Sequence, residues 1–556
     1  ICTHMAALVK AHIDRMAGWV TLRFAFDLDT IALLKQYPGS IWDKDRGVWR
    51  VPIYSWEASL RDQLKHEVTM STERRAVLPE LIKTKLRTYQ VEGADFLIRN
   101  RGALLTFQQR LGKSVSSIAA MTALMGSNQA KRAVIIYPAQ VVATWRQQLK
   151  QWANLDLYAL TSTEPLNDTM KAALINTDWL VLGCHYEILD NGPNSKAKRI
   201  NCIESILGDR EPFIVIADEV QYAKNRTSGR TKALQRLSMK KNCVAAWGLS
   251  GTVMRNSPRD LWSIFEFINP GSMGGYWTFA KRFANAHLGD NGFWDDKGES
   301  NEPELAARLR SSSFRKLRSD PDVAPFLPPI ERVVISCPLN GTAQKRYDKL
   351  EKVLAKSALA GIADIDVSSS SREAVKQLTL IVSAGKVPTV IERCVRHLEA
   401  GSKVAVFGHF HETLEAVLLG LEKENIRHHA APGWVPVEKR LGILDAWRSD
   451  PEPSVLVVST LASGVGIDLS DAAVSIFVEY EWTPADFRQG EDRIVDVHLG
   501  KRKSPPLIEY MLAKGTIDEA MGTALLKKIR SNDKIVGADV GRNWVETASM
   551  ASRHVA

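Results

Sequence analysis

Cysteine is scarce and scattered in this 556-residue chain. Its six copies (Cys2, Cys184, Cys202, Cys243, Cys337 and Cys394) form no C-x-x-C pair, and no two histidines stand at zinc-ligand spacing. That excludes a disulfide framework and a structural zinc site, and it fits a reducing compartment. No apolar run approaches the roughly 20 residues needed to span a membrane, so no membrane partner is expected. The start lacks the charged, apolar and small-residue pattern of a secretory leader, and Ile1 to Met5 reads as a cloning remnant. No short repeat of fixed period is visible, which argues against a solenoid. An acidic surplus is missing too: 73 Lys and Arg against 63 Asp and Glu leave a net charge of +10. A basic surplus serves solubility or a polyanionic partner such as nucleic acid.

A chain of this length exceeds one core and should divide into about three or four compact units. Short apolar runs alternate with helical stretches. ALLTF (103–107) leads through GKS into SVSSIAAMTALM; then come RAVIIYP (132–138), DWLVLG (178–183), FIVIAD (213–218) and AAWGLSG (245–251). Runs that are apolar throughout are buried on both faces, as in a parallel sheet covered by helices. The pattern resumes after residue 400 with KVAVFGHF, NIRHHAAPG, SVLVVST, VSIFVEYEW and PLIEYML. Between the two α/β units lie AHLGDNGFWDDKGESNEPE, PDVAPFLPP and VSSSSRE, read as loops of a helical insertion and an interlobe linker.

Chemistry enters at FQQRLGKSVSS (107–117). A phosphate loop is usually G-x-x-x-x-G-K-[ST], and Phe107 stands at the first glycine. Gly112, Lys113 and Ser114 alone are a weak signal. About a hundred residues on, FIVIAD ends in Asp218 followed by Glu219, which delivers two carboxylates to the carboxyl edge of a sheet. Asp218 suits Mg²⁺, and Glu219 suits polarising or deprotonating a water. The order strand, GKS, helix, then acid-tipped strand is that of a nucleotide-hydrolysing lobe, so ATP and Mg²⁺ are the expected cofactors.

The wider pattern resembles the Swi/Snf-like branch of superfamily 2 helicases. The resemblance rests on LRTYQVEGADFLIRNRGALLTFQQRLGKS, IIYPAQVVATWRQQLKQW, LGCHYEIL, ADEVQYAKN and LSGTVMRNSPRDLWSIFEFINP. It continues through VAVFGHF, VSTLASGVGIDLSDA, EWTPADFRQGEDR and KGTIDEA, covering about residues 80 to 535. It implies two RecA-like parallel-sheet lobes with helical insertions, ATP bound between them and duplex DNA held without regard to sequence. Gln90 with Arg87 would read adenine. Lys113 would meet the β and γ phosphates, and Ser114 would join Asp218 on Mg²⁺. The backbone of Arg110, Leu111 and Gly112 would cradle phosphate; the branch commonly has glycine at the position of Arg110. Gln221 replaces a frequent histidine near the γ-phosphate. Ser250, Gly251 and Thr252 resemble the segment coupling nucleotide to nucleic acid. In the second lobe Gly464 and Gly466 match a loop near phosphates, and Gln489 and Arg493 match the Q-x-x-x-R element facing ATP. Asp496 occupies the place of the relatives' arginine finger, the largest departure.

WVTLRFAFDLDTIALLKQYPGSIWDKDRGVWRVP reads as a small α+β module: a strand, a helix over DTIALLKQY and a hairpin turning at Asp45, Arg46 and Gly47. Phe24, Phe26, Trp42 and Trp49 read first as core and second as base-stacking surface. The stretch is similar to the HARP-type module preceding the motor in annealing helicases. The expected layout is 1–75 HARP-like module, 76–270 first lobe, 271–375 insertion and linker, 376–535 second lobe, and 536–556 tail. The implied function is an ATP-dependent double-stranded DNA translocase that remodels or reanneals forked DNA. The alternatives are a strand-separating DNA or RNA helicase and a weakly hydrolysing nucleotide switch. A monomer is expected, from a bacterial or phage source, acting in the cytoplasm, or in the nucleus if eukaryotic.

Overall fold

The computed structural model describes residues 8–14, 19–37, 39–64, 66–70, 76–162, 166–190, 199–254, 257–289, 292–327, 330–339, 341–354, 369–460, 469–479, 490–491, 493–494 and 505–522. The chain divides near residue 323 into two compact units.

The first unit opens with a five-stranded sheet built from β1 (Val9–Asp14), β2 (Trp19–Arg23), β3 (Ile41–Asp43), β4 (Val48–Pro52) and β5 (His66–Met70), in the order β3-β4-β2-β1-β5. The strands pair antiparallel except β5, which runs parallel to β1. Alternation in β1 and β2 sends Val9, Ala11, Val20 and Leu22 to one face, where Leu34, Trp56 and Leu60 complete a core. The helix Leu28–Lys35 begins where Asp27 accepts the Thr30 N–H at 3.0 Å. The hairpin between β3 and β4 turns through Gly47, whose φ of 61° favours glycine. The four aromatics divide: Trp49 is buried and Phe24 half-buried, whereas Phe26 is 83% and Trp42 48% exposed. Core is therefore the wrong description for two of them.

The large sheet of this unit uses β6 (Gly102–Phe107), β7 (Arg132–Tyr137), β8 (Leu157–Leu160), β9 (Leu180–His185), β10 (Phe213–Asp218) and β11 (Cys243–Leu249). A short hairpin of β12 (His287–Leu288) and β13 (Trp294–Asp295) precedes its seventh strand, β14 (Ser313–Lys316). The order is β14-β6-β11-β10-β7-β9-β8, with every pair parallel. Every residue of β7 and β10 is buried, as their unbroken apolar runs require.

The N-terminal sheet is packed onto this unit. A Cβ at Gly39 would lie 2.0 Å from the Ser272 carbonyl oxygen, so the two backbones touch. Arg308, fully buried on the helix Glu302–Ser312, lies with its guanidinium carbon 5.8 Å from the Tyr37 ring centroid and 5.2 Å from that of Phe283.

The second unit has a six-stranded sheet of β15 (Glu331–Ser336), β16 (Val404–Gly408), β17 (His428–Ala431), β18 (Val455–Ser459), β19 (Val474–Phe477) and β20 (Leu507–Leu512). Its order is β15-β20-β19-β16-β18-β17, again parallel throughout. The stretch 271–375, expected as insertion and linker, thus supplies an edge strand to each large sheet, β14 to the first and β15 to the second. The helix Ser369–Glu399 also runs across the expected boundary at 375. Edge strands meet solvent, so their apolar signal is diluted: β14 reads SFRK and β15 reads ERVVIS.

Candidate active site

Parallel pairing puts the carboxyl ends of β6, β11 and β10 side by side at one sheet edge. The segments leaving them are 108–112, 250–252 and 219–221, so topology alone gathers the residues singled out in the sequence.

Beyond β6 the chain makes a short loop and enters the helix Lys113–Gly126. Gly112 caps that helix at φ 89°, and a Cβ there would fall 2.2 Å from Gln90 Nε2, so only glycine fits. Arg110 holds φ 64° despite its side chain. Leu111 is buried and Ser114 half-buried. Lys113 is buried, with Nζ donating to the Phe107 carbonyl at 3.2 Å. Gln90 is engaged at both ends: Oε1 accepts the Arg87 N–H at 3.0 Å, and Nε2 donates to the Leu111 carbonyl at 3.0 Å. In this arrangement it braces the loop.

At the end of β10, Asp218 and Glu219 are 6% and 3% exposed. Glu219 takes a left-handed conformation (φ 49°, ψ 55°), a strained geometry of the kind that collects at functional sites. Asp218 Oδ1 accepts the Glu219 N–H at 3.0 Å, and Oδ2 accepts Trp145 Nε1–H at 2.9 Å. Tyr186 donates its hydroxyl to the Asp218 carbonyl at 3.0 Å. Burial, with the neighbouring Glu219 adding, pushes the Asp218 carboxyl up to about 6, against the opposing pull of Trp145 and Lys113. Trp145 and Tyr186 were not singled out from sequence. The available signal was the pair Trp145 and Leu149, spaced for one face of the mostly polar helix TWRQQLKQW, and both are fully buried.

Gln221 bridges two motifs. Its Nε2 donates to Glu219 Oε2, and its Oε1 accepts the Ser250 hydroxyl at 2.6 Å. Ser250 Oγ in turn accepts the Thr252 N–H at 2.9 Å. A continuous hydrogen-bonded path therefore runs from a buried carboxylate to the segment after β11.

Two buried carboxylates beside a buried lysine leave an excess of negative charge. This donor set fits a divalent cation. Among the described residues no three His, Cys, Asp or Glu side chains cluster to hold a metal ion.

In the second unit, Gly464, Gly466 and Gln489 lie outside the described residues, as does Asp496. Arg493 is 4% exposed, and its carbonyl accepts the Leu469 N–H at 2.9 Å. Nearby Glu491 receives Arg332 from β15 through Nε at 2.9 Å and Nη2 at 3.1 Å. No helix among the described residues is long and apolar enough to cross a membrane.

Comparison with known proteins matches residues 55–387 to the SNF2-related domain and residues 385–497 to the helicase conserved C-terminal domain. The DNA annealing helicase and endonuclease ZRANB3 of Mus musculus is 28% identical over 81% of this chain and 41% of its own length. A Caenorhabditis elegans homologue of the SWI/SNF-related matrix-associated actin-dependent regulator of chromatin subfamily A-like protein 1 is 25% identical over 91% of this chain and 73% of its own. An ATP-dependent helicase of Mycoplasma genitalium is 26% identical over 78% and 40%. The chain spans about two fifths of the length of the ZRANB3 relatives it matches. Among solved structures, the Sulfolobus solfataricus SWI2/SNF2 ATPase core in complex with dsDNA is 21% identical, covering 84% of this chain and 95% of that one, with a TM-score of 0.38.

Proposed function

The chain belongs to the SNF2-related family, and from that premise we propose that it is a DNA-dependent ATPase that translocates on duplex DNA and remodels or reanneals forks. The observation that carries the reading is the assembly at one sheet edge of a glycine-capped phosphate loop, a buried Asp218–Glu219 pair and the Gln221–Ser250 bridge. The name of the mouse relative, a DNA annealing helicase and endonuclease, supports the reannealing part. A monomer is the proposed working unit, checked by light scattering.

The loop N–H groups and the helix N-terminus would receive the phosphates, with Lys113 turning from the Phe107 carbonyl to the γ-phosphate. Ser114 and Asp218 would hold Mg²⁺, which supplies charge neutralisation on the phosphates when bound. Glu219 would polarise the attacking water and take its proton. Gln221 fixes the Glu219 carboxylate and reports its state to Ser250 and Thr252, toward the proposed DNA-binding side. The deciding experiment compares ATP turnover without DNA and with single-stranded, duplex and forked DNA. Stimulation by duplex and most strongly by forks is expected; turnover indifferent to DNA would reject the proposal, and displacement of an intact strand would favour strand separation.

The Asp218 carboxyl carries a pH signature. Its pKa is raised from 3.8 to about 6, so ionising it in the folded, ligand-free chain carries a cost that grows as pH rises through that window. A bound cation offsets this cost by favouring the ionised form. The Mg²⁺-dependent part of ADP affinity should therefore climb by up to about tenfold per pH unit below 6 and level off above it. Titration with a fluorescent ADP, with and without Mg²⁺ from pH 5 to 8, reads this directly. A Mg²⁺ effect independent of pH, or one that survives Asp218→Asn, would remove Asp218 from the metal site.

We assign fork recognition to the exposed aromatics of the N-terminal module, Phe26 in the connection after β2 and Trp42 on β3. Stacking on a base contributes about 1–3 kcal/mol, so the double variant Phe26→Ala, Trp42→Ala should lower the fork-to-duplex stimulation ratio at least about fivefold. Turnover without DNA should not change. An unaltered ratio would return these rings to a purely structural role.

A further inference from the structure

The phosphate loop has little of the residue that usually lets such a loop fold. Between Phe107 and Lys113 the only glycine is Gly112, and Arg110 takes a left-handed φ of 64° that its side chain resists. A residue stays in such a conformation where its neighbours are held from outside. Here the hold comes from residues 316–318, at the carboxyl end of edge strand β14. The Gln108 N–H donates to the Lys316 carbonyl at 3.0 Å. The Arg318 N–H donates to Gln108 Oε1 at 2.7 Å, and Arg318 Nη2 donates to the Gln109 carbonyl at 3.3 Å. The anchoring segment is itself fixed: Lys316 Nζ pairs with Asp322 at 2.6 Å and with Glu92 at 3.3 Å, and the Leu317 N–H bonds Asp320 at 2.8 Å. On the far side of Arg110, Gln90 holds Leu111.

We infer that Arg318 is a positioning residue for the phosphate loop, clamping Gln108 and Gln109 so that the strained turn at Arg110 presents its N–H groups before phosphate arrives. The inference rests on the nucleotide reading of this loop. Arg318 lies outside every nucleotide motif recognised in the sequence and some two hundred positions from the loop it holds. Its side chain grips a main-chain carbonyl of the loop, so the expected effect is on binding and not on the chemical step. A loop that spends only a fraction of its time in the binding shape raises the apparent Kd by the reciprocal of that fraction.

The test uses the full chain, a fluorescent ADP as the binding probe and hydrogen exchange without nucleotide. Arg318→Ala should weaken ADP binding about 5- to 10-fold and raise the KM for ATP in step, with kcat within about twofold. Amides 108–112 should exchange faster, while those of β10 keep their protection. Gln108→Glu keeps an oxygen for the Arg318 N–H and should recover most of what Gln108→Ala loses. If Arg318→Ala folds poorly, Arg318→Lys carries the same comparison, since it keeps the main-chain bond and shortens only the grip on Gln109. Unchanged ADP affinity and unchanged loop exchange would overturn the inference, as would a fall in kcat at constant KM. A wild-type chain that binds no ADP while Arg318→Ala still loosens the loop would instead overturn the nucleotide reading and leave the clamp as architecture alone.

Discussion

Glu219→Gln should bind ATP about as tightly as the parent chain and cleave it at least about a hundredfold more slowly, the usual scale for removing a positioned general base. The substitution is close to isosteric. The new side-chain amide would retain an oxygen for the Gln221 Nε2–H, so the bridge to Ser250 can persist while the proton acceptor is gone. Binding should survive because the groups proposed to meet phosphate lie on another segment: the loop N–H groups, Gly112 and Lys113. Lys113→Ala is the complementary variant. It removes a buried cation beside two buried carboxylates, so both nucleotide affinity and turnover should collapse. Equilibrium binding of a fluorescent ATP analogue and single-turnover hydrolysis separate the two effects. Near-parental hydrolysis by Glu219→Gln would move the base elsewhere and dismantle the site as described.

How far the sequence foretold this arrangement depended on where each residue sits in its sheet. β10 reads FIVIAD because both of its faces are covered, and that run also announced the carboxylates at its end. β14 escaped notice because it is an edge strand of four half-buried residues, SFRK, inside a stretch whose Gly and Pro content reads as loop. Missing it also hid the clamp on Gln108, since residues 316–318 reach the phosphate loop only through the pairing of β14 with β6. The boundary at 375 failed for a related reason. The helix Ser369–Glu399 begins in the polar run SSSRE, whose composition favours a loop, and tertiary packing of its later turns carries the helix back across it.

Within the site the same division holds. The placement of Lys113, Asp218 and Glu219 was legible because each follows a buried strand that local pattern reveals. Gln90 was assigned by resemblance to adenine, but the folded chain turns both ends of its amide onto its own backbone. No spacing rule joins Trp145 to Asp218, 73 positions away; that bond exists because a polar helix presses its single buried indole against the end of β10. Sequence thus located the groups proposed to react, and tertiary contacts decided what holds them.

Arg493 is where the largest departure from the family pattern meets a measurable consequence. An arginine on the transferring phosphate contributes about 10³-fold or more to turnover, and an aspartate at 496 cannot serve in that role. Arg493 remains in register with Gln489 in the sequence and is the proposed donor. Arg493→Ala should therefore lower kcat by at least about a hundredfold while ATP affinity changes only a few-fold, and Asp496→Ala should shift turnover by less than about threefold. Because Arg493 is buried, with its main chain bonded to Leu469, stability has to be followed alongside. Arg493→Lys keeps the charge and most of the volume but loses the planar fork, so it should stay folded and remain deficient in kcat. A thermal melt within a few degrees of the parent, combined with the kcat loss, assigns Arg493 to the transition state. Full turnover by Arg493→Ala would remove it from the phosphates and require the transition-state charge to come from another arginine, Arg488 and Arg502 being nearest in the sequence.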